Sequence, residues 1–585
     1  MDKLLASEQA FQARTDLRSS YGENARLLFA LQTKFQIEDI DTVAEEALTG
    51  GSDDKKCDLV YVNREGQYAV VAQAYESLRP NKESALSNKA SDLNTAMSWL
   101  LIWDSQRLPA QLQSAAEQLQ DVIKNNIISN LYIWYVHNCS ESANVKSELD
   151  NVERNAYALL ETYFKGHSIE VHSTEVGKNK LDEWYQAIIT PILVSEDFDI
   201  ENVNGYEMIE KDWTAFIASI PAKYLYTWFN KYQTKLFSAN IRDYLGSRQS
   251  DKNINSNIKR TAGTDPQNFW IYNNGLTALV NNYKYSSEGE KGKLIISGIS
   301  IVNGAQTTGA LGSLDSVPDE SAYVPIRFVK CHDQDVVMKI IRYNNSQNRI
   351  KASDFRSNDF IQSRLREEFE KIPDSKYYGG RRGSAQDIIR RTPNLLSSDT
   401  VAQTIASFHG NPTHAYNKKA YLWEDDVAYS KIFNDNLHAP HIVFVYSLFR
   451  CIEDYKHKLR KKESENEILD NEEKELAFLR NRGATYLLHA AIAYCIENIL
   501  NKPIANKFGL SFGPSISPEA AKELWKPIVQ VAIPFSPTLE SGVHDSLQSK
   551  EDVKKAMGIF RSYIAGLQLI HGESFQMFAN SCKLP

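Results

Sequence analysis

Residues 57–75 read CDLVYVNREGQYAVVAQAY, which is two apolar, β-rich runs separated by the glycine-containing turn NREGQ. Two such runs around a short turn are typical of a β-hairpin. Farther along the chain, the patterns predict a strand at 127–139, a helix that ends at Gly166 and another strand at 167–177. Because strands then alternate with helices, we predict an α/β domain at residues 1–200.

Two further regions follow this domain. A central region at 201–400 combines helices with strong β segments, so we predict an α+β fold there. The polar stretch at 246–263 is predicted to contain a loop. Residues 401–585 are predicted to be mostly helical, with a highly charged, solvated segment at 460–475. The predicted β segments of the central region lie at 269–285, 293–304 and 323–333.

The overall composition excludes several classes of protein. The chain has 585 residues, enough for about three to four domains, and 42% of them are hydrophobic. The formal net charge of −8 excludes a surface that is basic throughout. The six cysteines include no CxxC pair, which argues against a zinc ribbon and fits a reducing cytosol. The N-terminus lacks the apolar core of a signal peptide, and no long apolar run predicts a membrane span. We therefore expect a cytoplasmic protein.

The hairpin places chemical groups at a recognisable spacing. Asp58 begins the first run and Gln73-Ala-Tyr75 ends the second. This spacing resembles the core of PD-(D/E)XK nucleases, in which an acid and an E/Q-x-K motif meet on two paired strands. Carboxylate and amide oxygens are ligands for Mg²⁺, so Asp58 and Gln73 are predicted catalytic residues and metal ligands, with Mn²⁺ as the alternative metal. An ordinary edge hairpin with an exposed aspartate is the competing interpretation.

One position departs from the nuclease pattern. Tyr75 stands where the lysine is expected, and a phenol carries no positive charge at neutral pH. Lys82 or Lys89, in the segment that follows, is predicted to supply the ammonium group instead. Glu45 or its neighbour Glu46, on the preceding helix, is predicted to complete the metal site.

The centre of the chain is rich in asparagine. The stretches are FWIYNNGLT (269–277), ISIVNGAQTT (299–308) and IIRYNNSQNRI (340–350). Asn-Gly pairs favour tight turns with positive φ, and the second stretch runs from a strand into a helix start, where free N–H groups favour an anion. Amides both donate and accept hydrogen bonds, so these residues indicate recognition of nucleic acid or a buried scaffold, rather than proton transfer. The candidate nucleic-acid-binding residues are Asn273, Asn274, Asn303, Gln306, Thr307, Asn344, Asn345 and Gln347.

Two basic clusters accompany these motifs, and the second lies beside Tyr377 and Tyr378. Arginine beside aromatic rings can grip phosphates and stack bases, although a solvated loop has the same composition. From the first cluster we select Arg242, Arg248, Lys259 and Arg260 as candidate nucleic-acid ligands, and from the second Arg381 and Arg382.

Several motifs in order resemble the AIPR family, the abortive infection phage resistance proteins. They include the three asparagine-rich stretches, YYGGRRG (377–383), TVAQTIASFHGNP (400–412) and WEDDVAYSKIF (423–433). Many members of this family carry a PD-(D/E)XK-like domain before these motifs. The resemblance implies a bacterial antiphage effector, either a Mg²⁺-dependent nuclease acting on DNA or RNA or an inactive sensor. Its implied partners are nucleic acid, a phage component or a protein of the same defence operon that docks on the charged segment 454–479. A second copy of the chain is a further candidate, and no membrane is expected.

Overall fold

The computed structural model describes most of the chain. It leaves out residues 1–3, 50–53, 79–82, 103–106, 190–191, 193, 241–248, 289–290, 332, 334–335, 338, 342–355, 358, 380–393 and 585. Eight predicted site residues lie outside the described residues, namely Lys82, Arg242, Arg248, Asn344, Asn345, Gln347, Arg381 and Arg382.

The chain forms two compact units. The first contains Met1–Ala13, Thr33–Gln36 and Lys178–Ile350. The second contains Arg14–Gln32, Ile37–Gly177 and Lys351–Pro585, so the predicted α/β region and the helical C-terminal region contribute to the same unit.

The N-terminal part confirms the predicted hairpin and the α/β pattern. Strands β1 and β2 pair antiparallel, whereas β2, β3 and β4 run parallel, in the order β1-β2-β3-β4. Most of β3 is buried, as is typical of a parallel strand covered on both faces. The elements are α1 (Ala6–Ala13), α2 (Thr15–Tyr21), a 3₁₀ turn (Gly22–Asn24), α3 (Ala25–Phe35), α4 (Ile40–Ala47), β1 (Leu59–Asn63), β2 (Tyr68–Tyr75), α5 (Ser87–Ser91), α6 (Leu93–Ile102), α7 (Ala110–Lys124), β3 (Asn130–His137), α8 (Ala143–Tyr163), β4 (Glu170–Val176) and α9 (Lys178–Ile189).

The central part contains a six-stranded sheet in the order β5-β6-β10-β7-β9-β8. Strand β5 also pairs with β9, which closes five of these strands into a ring. The elements are β5 (Val194–Ile209), β6 (Trp213–Pro221), α10 (Ala222–Tyr232), a 3₁₀ segment (Gln233–Asn240), α11 (Gln249–Thr264), α12 (Phe269–Tyr272), β7 (Leu276–Val280), β8 (Asn282–Glu288), β9 (Lys291–Asn303), α13 (Ala305–Gly312) and β10 (Tyr323–Cys331).

Two predictions for this part were wrong. Within the polar stretch predicted to contain a loop, the described residues from Gln249 onward form helix α11, because Ile258 and Ala262, four residues apart, pack together against the core of this unit. Residues 269–272, predicted to begin a strand, form the short helix α12, and the strand begins only at Leu276.

The C-terminal part is mostly helical, as predicted, and its core is one large apolar cluster. The long helix α19 runs through it, and its apolar half is almost completely buried. Among the described residues, no helix combines the length and the hydrophobicity that crossing a bilayer would require. The elements are α14 (Phe360–Phe369), β11 (Lys376–Tyr377), β12 (Leu395–Leu396), α15 (Ser398–Phe408), α16 (Pro412–Asn417), α17 (Tyr421–Glu424), α18 (Asp426–Ile432), α19 (Ala439–Ser464), α20 (Asp470–Leu479), α21 (Ala484–Tyr494), α22 (Ile496–Leu500), α23 (Pro518–Ala532), α24 (Lys550–Gly566) and α25 (Gln568–Ser581).

Candidate functional site

Asp58 lies where β1 begins, beside the end of β2. Its main-chain N–H donates to the carbonyl of Ala72 at 2.9 Å. Its carboxylate oxygen Oδ2 accepts the main-chain N–H of Ala74 at 2.8 Å. This bond holds the carboxylate of Asp58 against β2 at Ala74, the residue that follows Gln73.

Gln73 carries a buried oxygen without a partner. The residue is 5% exposed, and its Oε1 atom has no hydrogen-bond partner among the described residues. Leaving such an atom unpaired costs about 1–3 kcal/mol, so an unpaired atom in a folded protein needs an explanation. Amide and carboxylate oxygens are both ligands of hard cations, so the residue types at this end of the hairpin fit Mg²⁺.

Two further charged residues, Glu23 and Lys89, affect the pKa of Asp58 and belong to its surroundings. Burial raises the pKa of Asp58 to about 6, and Asp54 and Glu23 raise it further, whereas the Ala74 hydrogen bond and the Lys89 ammonium oppose the shift. Lys89 is therefore a described candidate for the displaced lysine; it lies on α5, with its Nζ atom 3.9 Å from Asp92. Sequence reasoning missed Glu23, because only the packing of its 3₁₀ turn against β2 brings it near Asp58.

Tyr75, at the position of the expected lysine, packs beside Tyr135 of β3, with 6.4 Å between their ring centroids. The next residue, Glu76, forms a bidentate ion pair with Arg26 of α3, with N–O distances of 2.9 and 3.0 Å. The same carboxylate accepts a hydrogen bond from Asn138. These contacts fix the end of β2, and with it the residues of the candidate site.

Glu45, predicted to be a metal ligand, lies in a different ion cluster. Its Oε1 atom is 2.9 Å from Nδ1 of His457 and its Oε2 atom is 3.4 Å from Arg460, both on α19. Burial opposes ionisation, but the His457 hydrogen bond and the nearby cations hold the pKa of Glu45 below its ordinary value. The neighbouring Glu46 accepts a hydrogen bond from Tyr416 at 2.6 Å. Both carboxylates therefore have partners, and we leave them out of the metal site.

The metal site is therefore small in the part of the chain that the structure describes. No group of three or more His, Cys, Asp or Glu residues there could hold a metal ion. A cation at Asp58 would depend on one close carboxylate, the amide oxygen of Gln73 and water molecules, an arrangement that Mg²⁺ accepts because it retains several waters.

Two of the asparagine-rich motifs meet in the first compact unit. The Nδ2 atom of Asn273 donates to Oγ1 of Thr307 at 3.1 Å, and its Oδ1 atom accepts the N–H of Gly275 at 2.9 Å. Gly275 and Gly304 adopt φ values of +79° and +97°, so both Asn-Gly pairs form the predicted positive-φ turns. The structure thus brings FWIYNNGLT and VNGAQTT together at the ends of β7 and β9.

Polar residues on three neighbouring strands lie side by side near these two turns. Arg327 of β10 lies beside Thr277 of β7, which in turn lies beside Asn303 of β9. The Nη2 atom of Arg327 donates to Oγ1 of Thr277 at 2.6 Å. Sequence reasoning missed Arg327, because it stands alone in an apolar strand and only strand pairing places it beside the motifs.

The remaining described candidates lie on surfaces. Asn274 and Gln306 are exposed. On α11, Lys259 donates to the carbonyl of Ser313 at 3.3 Å, and Arg260 donates to Asn257 at 3.2 Å. None of these contacts prevents the four side chains from binding a ligand as well.

Exposed aromatic side chains lie directly before Asn273. Trp270 and Tyr272 on α12 are 45% and 63% exposed, and Ile271 between them is 64% exposed. Rings in such positions can stack on nucleic-acid bases. The letters FWIY ahead of NNG are the sequence signal for these rings, although the pattern alone predicts a β segment there.

Comparison with known proteins gives one match. The family model described as AIPR protein matches residues 237–526. No curated protein matches this chain, and no solved structure matches it. The match includes all three asparagine-rich stretches, so this chain is similar to AIPR proteins over about half of its length.

Proposed function

We propose that this protein acts in phage defence as a metal-dependent nuclease with a degenerate PD-(D/E)XK site. The AIPR match suggests a role in abortive infection and phage resistance. The chemistry rests on one observation, the unpartnered buried oxygen of Gln73, the residue that precedes Ala74, whose main-chain N–H holds the carboxylate of Asp58. A buried amide with no partner is costly, so its retention is best explained by a ligand.

The topology around the site supports this proposal. The hairpin β1–β2 is followed by helices and then by β3, which pairs with β2 in parallel. Leu48, just after α4, forms an antiparallel bridge with Leu59 of β1. A helix, an antiparallel pair and a parallel crossover strand in this order resemble the nuclease core.

Each residue near the site has a proposed role. Asp58 and Gln73 would hold Mg²⁺ or Mn²⁺, with Glu23 contributing negative charge nearby. The metal, when bound, would supply a water molecule of lowered pKa and neutralise charge on the phosphate. Lys89 would stabilise the negative charge that develops during phosphodiester cleavage, in place of the lysine that Tyr75 replaces.

The first compact unit would bind the nucleic acid. Its candidate surface contains the exposed rings of Trp270 and Tyr272, the amides around Asn273, and the guanidinium group of Arg327. Stacking and phosphate contacts tolerate many sequences, so we expect binding to either single-stranded DNA or RNA without strong sequence preference.

Cleavage assays test the proposal directly. Purified full-length protein is incubated with DNA or RNA in Mg²⁺, Mn²⁺ or EDTA. We expect cleavage that needs the metal and that Asp58→Asn abolishes, because asparagine keeps the Ala74 hydrogen bond but not the charge. Asp150→Asn, at an exposed position of α8 paired with Lys146, is the matched control. Cleavage by the Asp58→Asn variant at the wild-type rate would rule out this site.

A second candidate function is an inactive sensor that binds nucleic acid or a phage component. Tyr75 at the lysine position favours it, as does the absence of a larger carboxylate group among the described residues. Phage plating on cells that express Asp58→Asn separates the two. Full protection by this variant, with nucleic-acid binding but no cleavage in vitro, would favour the sensor.

A further inference from the structure

The last two helices of the second compact unit, α24 and α25, carry apolar side chains on their outer face. Ile559 and Tyr563 of α24 are 42% and 49% exposed, and Leu569 and Ile570 at the start of α25 are 96% and 76% exposed. These residues recur at helical spacing, and the junction between the two helices keeps helical backbone angles. They therefore form one continuous surface, which we name the α24 strip. The opposite side of α24 packs on the core through Phe560.

Small residues lie within the same face. Gly558, Ser562 and Gly566 follow one another at intervals of four residues along α24. A Cβ atom added at either glycine would meet nothing within 4 Å, and neither glycine has a positive φ. The hydroxyl group of Ser562 donates to the carbonyl of Gly558 at 3.2 Å, so it is satisfied within its own helix. Glycine weakens a helix relative to alanine but lets another backbone come close, so these glycines indicate that a second helix packs here.

The sequence of this face is symmetric about Ser562 in a way that suits two copies of the chain. Gly558 lies four residues before Ser562 and Gly566 four residues after it. A two-fold axis at Ser562 would place Gly558 of each copy against Gly566 of the other. The same axis would place Lys555, seven residues before Ser562, against Leu569, seven residues after it. The methylene groups of the lysine would cover the leucine while its ammonium group stays in water.

The exposed area of this face suits a dimer interface. Met577, two helical turns beyond Ile570, is also 75% exposed, and Tyr563 is held at the edge of the α24 strip by stacking on Phe535. At about 150–200 Å² for a whole large side chain, the exposed fractions of Met577 and the α24 strip come to about 500–650 Å² in each copy. A standard interface buries about 800 Å² per partner, of which somewhat more than half is apolar. This face therefore supplies the apolar area that a stable dimer needs.

We propose that a second copy of this chain covers the α24 strip, with the two α24 helices antiparallel about a two-fold axis at Ser562. A parallel pair would instead place Lys555 against Lys555 of the second copy, which charge repulsion opposes. The interface does not depend on whether the Asp58 site cleaves nucleic acid.

Sedimentation equilibrium of the full-length protein tests this arrangement by measuring its mass in solution. We expect the wild type to form a dimer and Gly566→Gln to weaken the association about tenfold or more, because a side chain there holds the two backbones apart. The variant should fold, since an added Cβ meets nothing there and glutamine favours a helix. Gly263→Gln is the matched control, because Gly263 also lies near the end of a helix, α11, and an added Cβ there also meets nothing. It should leave the dimer unchanged.

A charge exchange tests the register of the two helices. Leu569→Lys places a lysine against Lys555 of the second copy, so we expect the association to weaken about tenfold or more. Adding Lys555→Glu to the same chain should restore most of the affinity, because the facing side chains then carry opposite charges. Both positions are exposed, so neither change disturbs the core. A double variant that associates as weakly as Leu569→Lys alone would overturn the antiparallel register.

Three other results would overturn the proposal. A wild type that stays monomeric at about 50 μM, far above the Kd of a stable dimer, would show that the α24 strip is not an interface between copies. A dimer that Gly566→Gln and Leu569→Lys both leave unchanged would form through another surface. A trimer or a larger assembly would also refute the arrangement, because a two-fold interface closes at two copies.

Discussion

Replacing Gln73 by methionine should make this protein more stable while removing its response to metal. The Oε1 atom of Gln73 is buried without a partner among the described residues, and such an atom costs about 1–3 kcal/mol. Methionine has a similar length and no strong acceptor, so it removes the cost and keeps most of the packing. We therefore expect the free energy of unfolding of the second compact unit to rise by about 1–2 kcal/mol.

Urea unfolding, followed by tryptophan fluorescence, measures this change with and without Mg²⁺. Metal bound only to the folded protein stabilises it by RT ln(1 + [L]/Kd), about 1.4 kcal/mol at ten times the Kd. We expect the wild type to show this gain and Gln73→Met to lose most of it. Stability and metal response should thus change in opposite directions in one variant.

Gln362→Met is the matched control in the same compact unit. Gln362 is also buried, but it donates to Tyr429 at 3.1 Å and accepts from Tyr377 at 2.7 Å. Its replacement removes one hydrogen bond from each of these two buried tyrosines, so we expect a loss of about 1–3 kcal/mol. If Gln73→Met were destabilised to a similar extent, Gln73 would be an ordinary structural amide and the argument for a metal would fail.

Three further predictions concern other positions. Tyr75→Lys should raise Mg²⁺-dependent cleavage about tenfold or more by restoring the missing ammonium, and an unchanged rate in a nuclease assay would mean that no lysine is needed there. Lys456 is 2% exposed, and burial lowers its pKa to about 7. An unfolded lysine keeps its proton up to a pKa of about 10. The folded protein therefore becomes less stable as the pH falls from about 10 to 7, because over this range the unfolded chain binds a proton at Lys456 that the folded protein does not. Lys456→Met should therefore raise the free energy of unfolding at pH 7 by at most about 4 kcal/mol and at pH 9 by about half as much, and urea unfolding that shows no dependence on pH would contradict this. Trp270→Ala should weaken single-stranded nucleic-acid binding about fivefold or more in a fluorescence anisotropy titration, whereas Tyr206→Ala, at an even more exposed ring, should not; equal losses would exclude a specific stacking surface.

The sequence was sufficient for features that depend on neighbours along the chain. The hairpin formed by residues 59–75 follows from two apolar runs and a turn, and the positive φ of Gly275 and Gly304 follows from their Asn-Gly pairs. Local periodicity failed where tertiary packing overrode it. Helix α11 forms in a polar stretch because two apolar residues, Ile258 and Ala262, suffice to anchor it, and FWIY forms a helical turn despite its strong β propensity.

The candidate sites show the same division. Asp58 and Gln73 were identified from their spacing alone, because paired strands bring such residues together without help from the rest of the chain. The partners of Glu45 lie more than 400 residues away on α19, so only the tertiary structure shows that this carboxylate is engaged. The positions of Glu23 and Arg327 also depend on elements that are distant in sequence. The sequence by itself therefore determined the motifs that resemble AIPR proteins and the local geometry of the hairpin, whereas packing between remote elements decided which charged side chains have partners, because those partners lie far apart along the chain.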